Sequence, residues 1–455
     1  MSAILDLPLQ KQSHYTTDEV AQTYRKVNWR LILFLFICYM MAYLDRINVG
    51  FAQLQMKGDL GFSDAVYGLG AGIFFAGYFL FEVPSNLILV KIGVRKTMMR
   101  IMICWGLISM SMLFVSTPMI FYILRFLLGA FEAGFLPGII FYLTLWYPGS
   151  RRARIIAVFM SAVPVAGVLG GPISGWIMND MEGMLGMHGW QWMFLLQGAP
   201  TVLLGLLVPV FLVDKPENAS WLSARQKGVI NHMLALDRVI KAGQSERSFN
   251  QALKDPRVYL FSFIYFTIIC GVYAVSFWLP TIIKGTGVTD SLSIGLYSMI
   301  PYGFGAAGMV LIGRHSDLKM ERRWHLAFCT IVGGCGLIMI ALTTNNLILS
   351  LAALSLATAT IFAGMPVFWA IPTSYLSSSA AAGGIAMINS LALLGGFVSP
   401  TLMGWAKTST GNFTSGLYLM AGLLFAGGIA VLVGTSKSMF NESRAEDLLL
   451  QTASK

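Results

Sequence analysis

The sequence predicts an all-α membrane protein with twelve transmembrane helices in two pseudo-symmetric six-helix halves. Three observations predict it. Of 455 residues, 56% are hydrophobic and only 11% charged, against roughly a quarter charged in soluble domains, so no water-facing surface can be assembled from this chain. Twelve apolar stretches recur, each long enough to cross a ~30 Å hydrocarbon core as a helix. One long polar segment separates the sixth stretch from the seventh.

The chain opens on a polar segment over 1–29 that runs through Arg25 and Lys26 to Arg30 at the first span. A secretory signal would have its short apolar core much earlier, so the first run is expected to stay as an anchor. The first half reads as spans at 30–53, 66–90, 97–116, 119–146, 155–178 and 192–213, an N-terminal bundle over 30–213. A basic cytoplasmic linker over 214–257 follows, with Lys215, Arg225, Lys227, Arg238, Lys241, Arg247, Lys254 and Arg257. The second half, 258–436, holds spans at 258–283, 292–313, 324–344, 347–371, 383–406 and 415–436, and 437–455 is a tail. Gly167, Gly170, Gly171, Pro172 and Gly175 in the fifth span, and Gly395, Gly396 and Pro400 in the eleventh, allow close helix approach and bending.

Thirty-one Lys and Arg against 21 Asp and Glu give a formal charge of +10, which in a soluble chain would suggest nucleic acid. Their placement says otherwise. With the N-terminus inside, 26 of the 31 basic residues fall on the cytoplasmic side, and only Lys57, Lys284 and Lys407 on the other. That alternation is an orientation signal; it implies both termini in the cytoplasm, a plasma (inner) membrane location and no nucleic-acid partner. Cys38, Cys104, Cys270, Cys329 and Cys335 all lie in apolar runs, where a thiol acts as a small hydrophobe. His14, His188, His232, His315 and His325 are terminal or in loops, and no HExxH, Walker loop or GxSxG occurs. No enzyme, cofactor or metal site is implied.

The halves echo each other. NLILVKIGVRK (86–96) ends the second span and GRHSDLKMERR (313–323) the eighth; aligning Val90 with Asp317 places Gly93 on Met320, Arg95 on Arg322 and Lys96 on Arg323. Parallel six-helix repeats with a mid-membrane site between them are a plan of secondary transporters. Over nearly its whole length the chain resembles the major facilitator superfamily, and within it the anion:cation symporters of organic acids. The resemblance rests on AYLDRINVGFA (42–52), EVPSNLIL (82–89), RFLLGAFEAGFLPG (125–138), RRAR (151–154), GWQW (189–192), FWLPTI (277–282), RHSDLKMERRWH (314–325) and AMINS (386–390). It implies two bundles rocking around a central site. Val90 and Asn86 stand where an acid and a glycine are common, Gln197 where a glutamate is expected, and Leu393 where a second asparagine often occurs.

Five charges fall well inside the spans: Asp45, Arg46, Glu82, Arg125 and Glu132. A charge at the bilayer centre costs about 2.5–3.5 kcal/mol, so each needs a partner, a wet cavity or a proton. Asp45 and Arg125 sit at about 12 and 10 Å from the outer ends of their spans, so an ion pair between them is sterically plausible. Glu132 lies two turns from Arg125 on nearly the same face, about 10.5 Å along the helix. Arg46 projects about 100° from Asp45 and can face the cavity while Asp45 faces a neighbour. Asp45 and Glu132 are the expected proton carriers, and Arg46 or Arg125 the anion's guanidinium fork; the resemblance ties the same positions to coupling and anion binding. The competing reading is an ion-pair network that only fixes packing.

Glu82 reads as a gating or packing residue paired with Arg95, Arg151 or Arg152. Asp317 with Arg322 and Arg323 reads as a latch between helix ends on the cytoplasmic side. The second half brings no buried charge, so its share of the site should be neutral: Tyr265, Tyr273, Trp278, Tyr302, Trp369, Thr373, Ser374 and, foremost, Asn389. Tyr43 and Tyr78 can meet substrate hydroxyls. The expected function is a monomeric, proton-coupled importer of a small organic anion, a hydroxy-carboxylate such as a sugar acid or tartrate-like acid. The alternatives are an aromatic carboxylate, an antiporter or exporter, and, outside transport, a membrane nutrient sensor.

Overall fold

The computed structural model describes residues 15–242, 255–375 and 378–435; the tail over 437–455 and part of the linker lie outside the described residues. Among the described residues, twelve helices are long and apolar enough to span a membrane: Thr17–Asp59, Asp64–Ile92, Val94–Phe114, Pro118–Trp146, Gly149–Asp180, Gly189–Phe211, Pro256–Gly285, Ser291–Lys319, Arg323–Leu342, Leu347–Pro372, Gly384–Thr410 and Thr414–Gly434. They are called the first to twelfth spans below. No strand occurs among the described residues.

The first helix starts at Thr17, well before residue 30, because a capping box nucleates it. Thr16 Oγ1 accepts the Glu19 N–H at 3.2 Å, and Glu19 Oε2 accepts the Thr16 N–H at 2.9 Å. The linker is partly helical as well, over Ala224–Ala242. It is fastened to the first half by Arg225 on Glu19 at 2.6 Å and by Asp237, which accepts the Gly149 N–H at 2.9 Å.

Within the first half the first span packs on the fifth, the second on the fourth and the third on the sixth; in the second half the seventh packs on the eleventh, the eighth on the tenth and the ninth on the twelfth. The two halves join where the fifth meets the eighth and the second meets the eleventh. Every pairing maps onto another when six is added to the span number, which is the pseudo-twofold expected of a repeat. Glycine makes the joints close. A Cβ at Gly171 would lie 2.5 Å from the Gly295 carbonyl oxygen, so only hydrogen fits there.

Polar contacts between the halves gather at the end opposite the chain termini. Tyr67 donates to the Phe277 carbonyl at 2.8 Å, Thr281 to Gln53 Oε1 at 2.9 Å and Lys284 to the Leu54 carbonyl at 2.9 Å. The Ala65 N–H reaches Thr408 Oγ1 at 2.8 Å. Asp64 Oδ1 accepts from Gln53 at 2.9 Å and pairs with Lys407 at 3.1 Å, while its Oδ2 pairs with Lys57 at 2.7 Å. The bundles are therefore closed at that end.

Candidate functional site

The fourth span, which the sequence reads as one helix over 119–146, is broken beside its carboxylate. Pro118–Glu132 ends at Ala133 (ψ 134°), Gly134 sits at φ 87°, and a second helix runs Phe135–Trp146. Pro137 supplies the reason: its ring excludes the carbonyl four residues earlier, that of Ala133, and it has no N–H to give. Glycine is the residue that accepts the left-handed turn. Glu132 thus closes a half-helix at mid-membrane, and the LPG run was the readable signal for it.

Arg46 of the first span reaches that carboxylate, forming an ion pair through Nη2 to Glu132 Oε1. Its Nη1 donates to Tyr273 Oη of the seventh span at 3.0 Å, so one guanidinium ties the two halves together. Rings from the second span frame it, with the guanidinium carbon 5.2 Å from the centre of Phe74, 5.9 Å from Phe75 and 5.6 Å from Tyr78. These are cation–π distances. Glu132 is 1% exposed and Arg46 11% by side chain, and Glu132 Oε2 and Arg46 Nε are buried without a hydrogen-bond partner among the described residues. A ligand carboxylate can accept from the Arg46 Nε–H, and a ligand hydroxyl can donate to Glu132 Oε2. Beside this centre, Tyr43 Oη and Ser276 Oγ share a hydrogen bond of 3.1 Å across the halves.

Asp45 faces the other way. The ion pair anticipated with Arg125 is not formed; instead Trp105 Nε1, Ser109 Oγ and Thr201 Oγ1 donate to Asp45 at 2.9, 2.9 and 3.0 Å. Successive helix positions differ by about 100°, and the face that carries Asp45 is packed by the third and sixth spans. Arg125, fully buried, turns to the second span, where Nε donates to the Gly70 carbonyl at 3.1 Å and Nη2 to that of Ala71 at 3.5 Å. Its guanidinium lies 5.1 Å from the Phe74 ring, so Arg125 and Arg46 flank the same phenyl group.

The remaining candidates separate by depth. Trp278 is fully buried in the seam at the end opposite the chain termini, edge-on to Tyr67 and Phe413, and so stands apart from the centre around Arg46. Asn389 is half-buried and makes no side-chain hydrogen bond among the described residues. The side chains of Thr373 and Ser374 lie outside the described set. Glu82 does not pair with Arg95, Arg151 or Arg152; its Oε2 accepts from Ser390 Oγ of the eleventh span at 3.4 Å. Arg152 is occupied by Asp237 at 3.6 Å, and the Arg95 N–H goes to Asp214 at 2.9 Å. Asp317 pairs with Arg322 at 2.5 Å, and Arg323 donates to the Leu432 carbonyl, so these contacts join helix ends inside the second half. At the same turn Glu321 lies below its ordinary carboxyl range: burial opposes this, but the N–H groups of Trp324 and His325 and the His325 ring outweigh it. Sequence reading missed Phe74, Phe75, Trp105, Ser109, Thr201 and Ser276. The i, i+4 spacing of Trp105 and Ser109 was the only available hint.

Twelve spans among the described residues, in two pseudo-symmetric bundles tied together by Arg46, are the plan of a multi-pass membrane transport protein. The Major Facilitator Superfamily profile matches residues 35–400, and the chain belongs to that superfamily. It is 48% identical over 88% of its length to a Pseudomonas putida protein named "Putative metabolite transport protein NicT", covering 92% of that protein. It is 46% identical to an Agrobacterium vitis protein named "Putative tartrate transporter", over 92% of each chain. Among solved structures, the D-xylose–proton symporter superposes with a TM-score of 0.69 at 14% identity, over 89% of this chain and 97% of that one, a likeness of fold.

Proposed function

We propose that the protein is a proton-coupled symporter that imports a small organic anion, a hydroxy-carboxylate such as a sugar acid or tartrate-like acid, by alternating access. The observation that carries this is Arg46 held between Glu132 of one bundle and Tyr273 of the other. A substrate carboxylate competes with Glu132 for the guanidinium fork. A buried carboxylate separated from its cation is expensive to keep charged, so the arriving anion favours a proton on Glu132. Anion and proton then cross together. The closed seam around Asp64 and Lys407 supports an inward-facing state, and the basic bias supports cytoplasmic termini in an inner membrane. We read the protein as a monomer. The name of the Agrobacterium vitis relative, a putative tartrate transporter, supports the acid class.

The test is uptake into proteoliposomes under an imposed pH gradient, with a panel of organic acids. External acid should stimulate accumulation by the wild type. Glu132→Gln should lose accumulation and keep part of the exchange activity, because the amide imitates the protonated carboxyl. Equal loss of both activities would make Glu132 structural. An aromatic carboxylate is the second reading, favoured by Phe74, Phe75 and Tyr78 around Arg46; the same panel separates the two.

A further inference from the structure

The RRAR run at 151–154 is not used by the central site. Arg152 is turned to Asp237 at 3.6 Å and to the Tyr147 carbonyl at 3.0 Å. Arg151 and Arg154 instead line a cavity of about 680 Å³ between the start of the first span and the start of the fifth. Neither has a carboxylate within ion-pair distance among the described residues. The cavity includes none of Arg46, Glu132 and Tyr273.

Its lining changes character with depth. At the basic end stand Arg151, Arg154 and Tyr24, with the Arg151 guanidinium 4.7 Å from the Tyr24 ring centre. Tyr24 is 2% exposed, and its hydroxyl is buried with no hydrogen-bond partner among the described residues. Further in, Leu33, Phe36 and Val158 take over the walls. Val158 lies about 10 Å beyond Arg151 along the helix. Leu33 and Val158 are each 47% exposed, and Trp29 at the rim is 68% exposed. A pocket with two guanidinium forks that no described carboxylate pairs at one end and an open apolar wall at the other matches a phosphate-bearing amphiphile. A water-soluble anion would satisfy the arginines and leave the apolar wall uncovered.

We propose that this pocket binds an anionic phospholipid of the leaflet at the basic end, with the headgroup phosphate on Arg151 and Arg154 and the upper acyl chain along Leu33, Phe36 and Val158. Guanidinium forks suit phosphate oxygens, and basic pockets between spans on this side of a membrane hold anionic headgroups.

Native mass spectrometry of the full chain from nanodiscs tests it, comparing phosphatidylcholine alone with phosphatidylcholine containing phosphatidylglycerol. The wild type should retain phosphatidylglycerol selectively. R151Q and R154Q should each weaken retention about 5-fold, and the double variant about 30-fold. R25Q, an exposed arginine at the same end that does not line the pocket, should leave retention unchanged. If the double glutamine variant does not fold, R151K/R154K keeps the charge and loses the fork, and should retain the lipid at an intermediate level. Equal retention of both lipids, or retention insensitive to either arginine pair, overturns the site. Glycerol phosphate raising the unfolding temperature as much as phosphatidylglycerol would assign the pocket to a free phosphate and overturn the lipid reading.

Discussion

Arg46→Lys keeps the positive charge and removes the fork. In the wild type the guanidinium uses Nη2 for Glu132 and Nη1 for Tyr273 Oη at 3.0 Å, bonds that leave in two directions toward two bundles. One ammonium on a flexible stem holds Glu132 and releases Tyr273. A hydrogen bond to a charged group is worth about 1.5–3 kcal/mol, so organic-acid affinity should fall by roughly 10- to 150-fold. Tyr273→Phe removes the acceptor and leaves Arg46 in place, and should cost a similar amount. Since both changes delete one bond, the double variant should be little worse than the weaker single, with a coupling energy of about 1–3 kcal/mol. Titration calorimetry with tartrate, or with whichever acid of the panel binds, gives all four affinities. Unchanged affinity in Arg46→Lys removes Arg46 from the site; additive losses refute the cross-bundle bond as part of binding.

Three further outcomes follow from particular contacts. Thr201→Val deletes one of the three donors to buried Asp45, leaving carboxylate capacity unmet, and should lower stability by about 1–3 kcal/mol in thermal unfolding; no loss would show that Asp45 does not depend on this network. Met320 caps the eighth span at φ 48°, where an L side chain is strained, so Met320→Gly should raise stability by roughly 1 kcal/mol by the same assay. Asp64→Asn breaks the pairs to Lys407 and Lys57. It should shift the bundles toward opening at that end by roughly tenfold or more, read as a longer distance between spin labels at Gly58 and Gly285, where an added Cβ meets nothing within 4 Å.

The number of spans, the six-plus-six division and the repeat were legible because each rests on chain-local quantities: apolar length, charge and motif spacing. Even the alignment of Gly93 with Met320 has a structural counterpart, since both close a helix with positive φ, at 88° and 48°. Arg46 and Glu132 were legible as intramembrane charges, which bilayer energetics marks out wherever they occur. Their partners were not. Helical rotation placed Asp45 and Arg46 on different faces, but nothing local says that neutral donors from the third and sixth spans meet one of them. Nor does it say that Tyr273, from a bundle 227 residues away, meets the other. Trp278 shows the same limit, because its composition suits a cavity and its depth puts it in the seam.

Membrane insertion is decided by the hydropathy of each segment against the bilayer, so the sequence by itself determined the class of the protein, its twelve crossings and the stock of buried charge. Which carboxylate takes which cation depends on packing angles between helices far apart in the chain. Only the tertiary structure decided that Arg46 pairs with Glu132, that Asp45 is served by hydroxyls and an indole, and that the two halves close around Asp64.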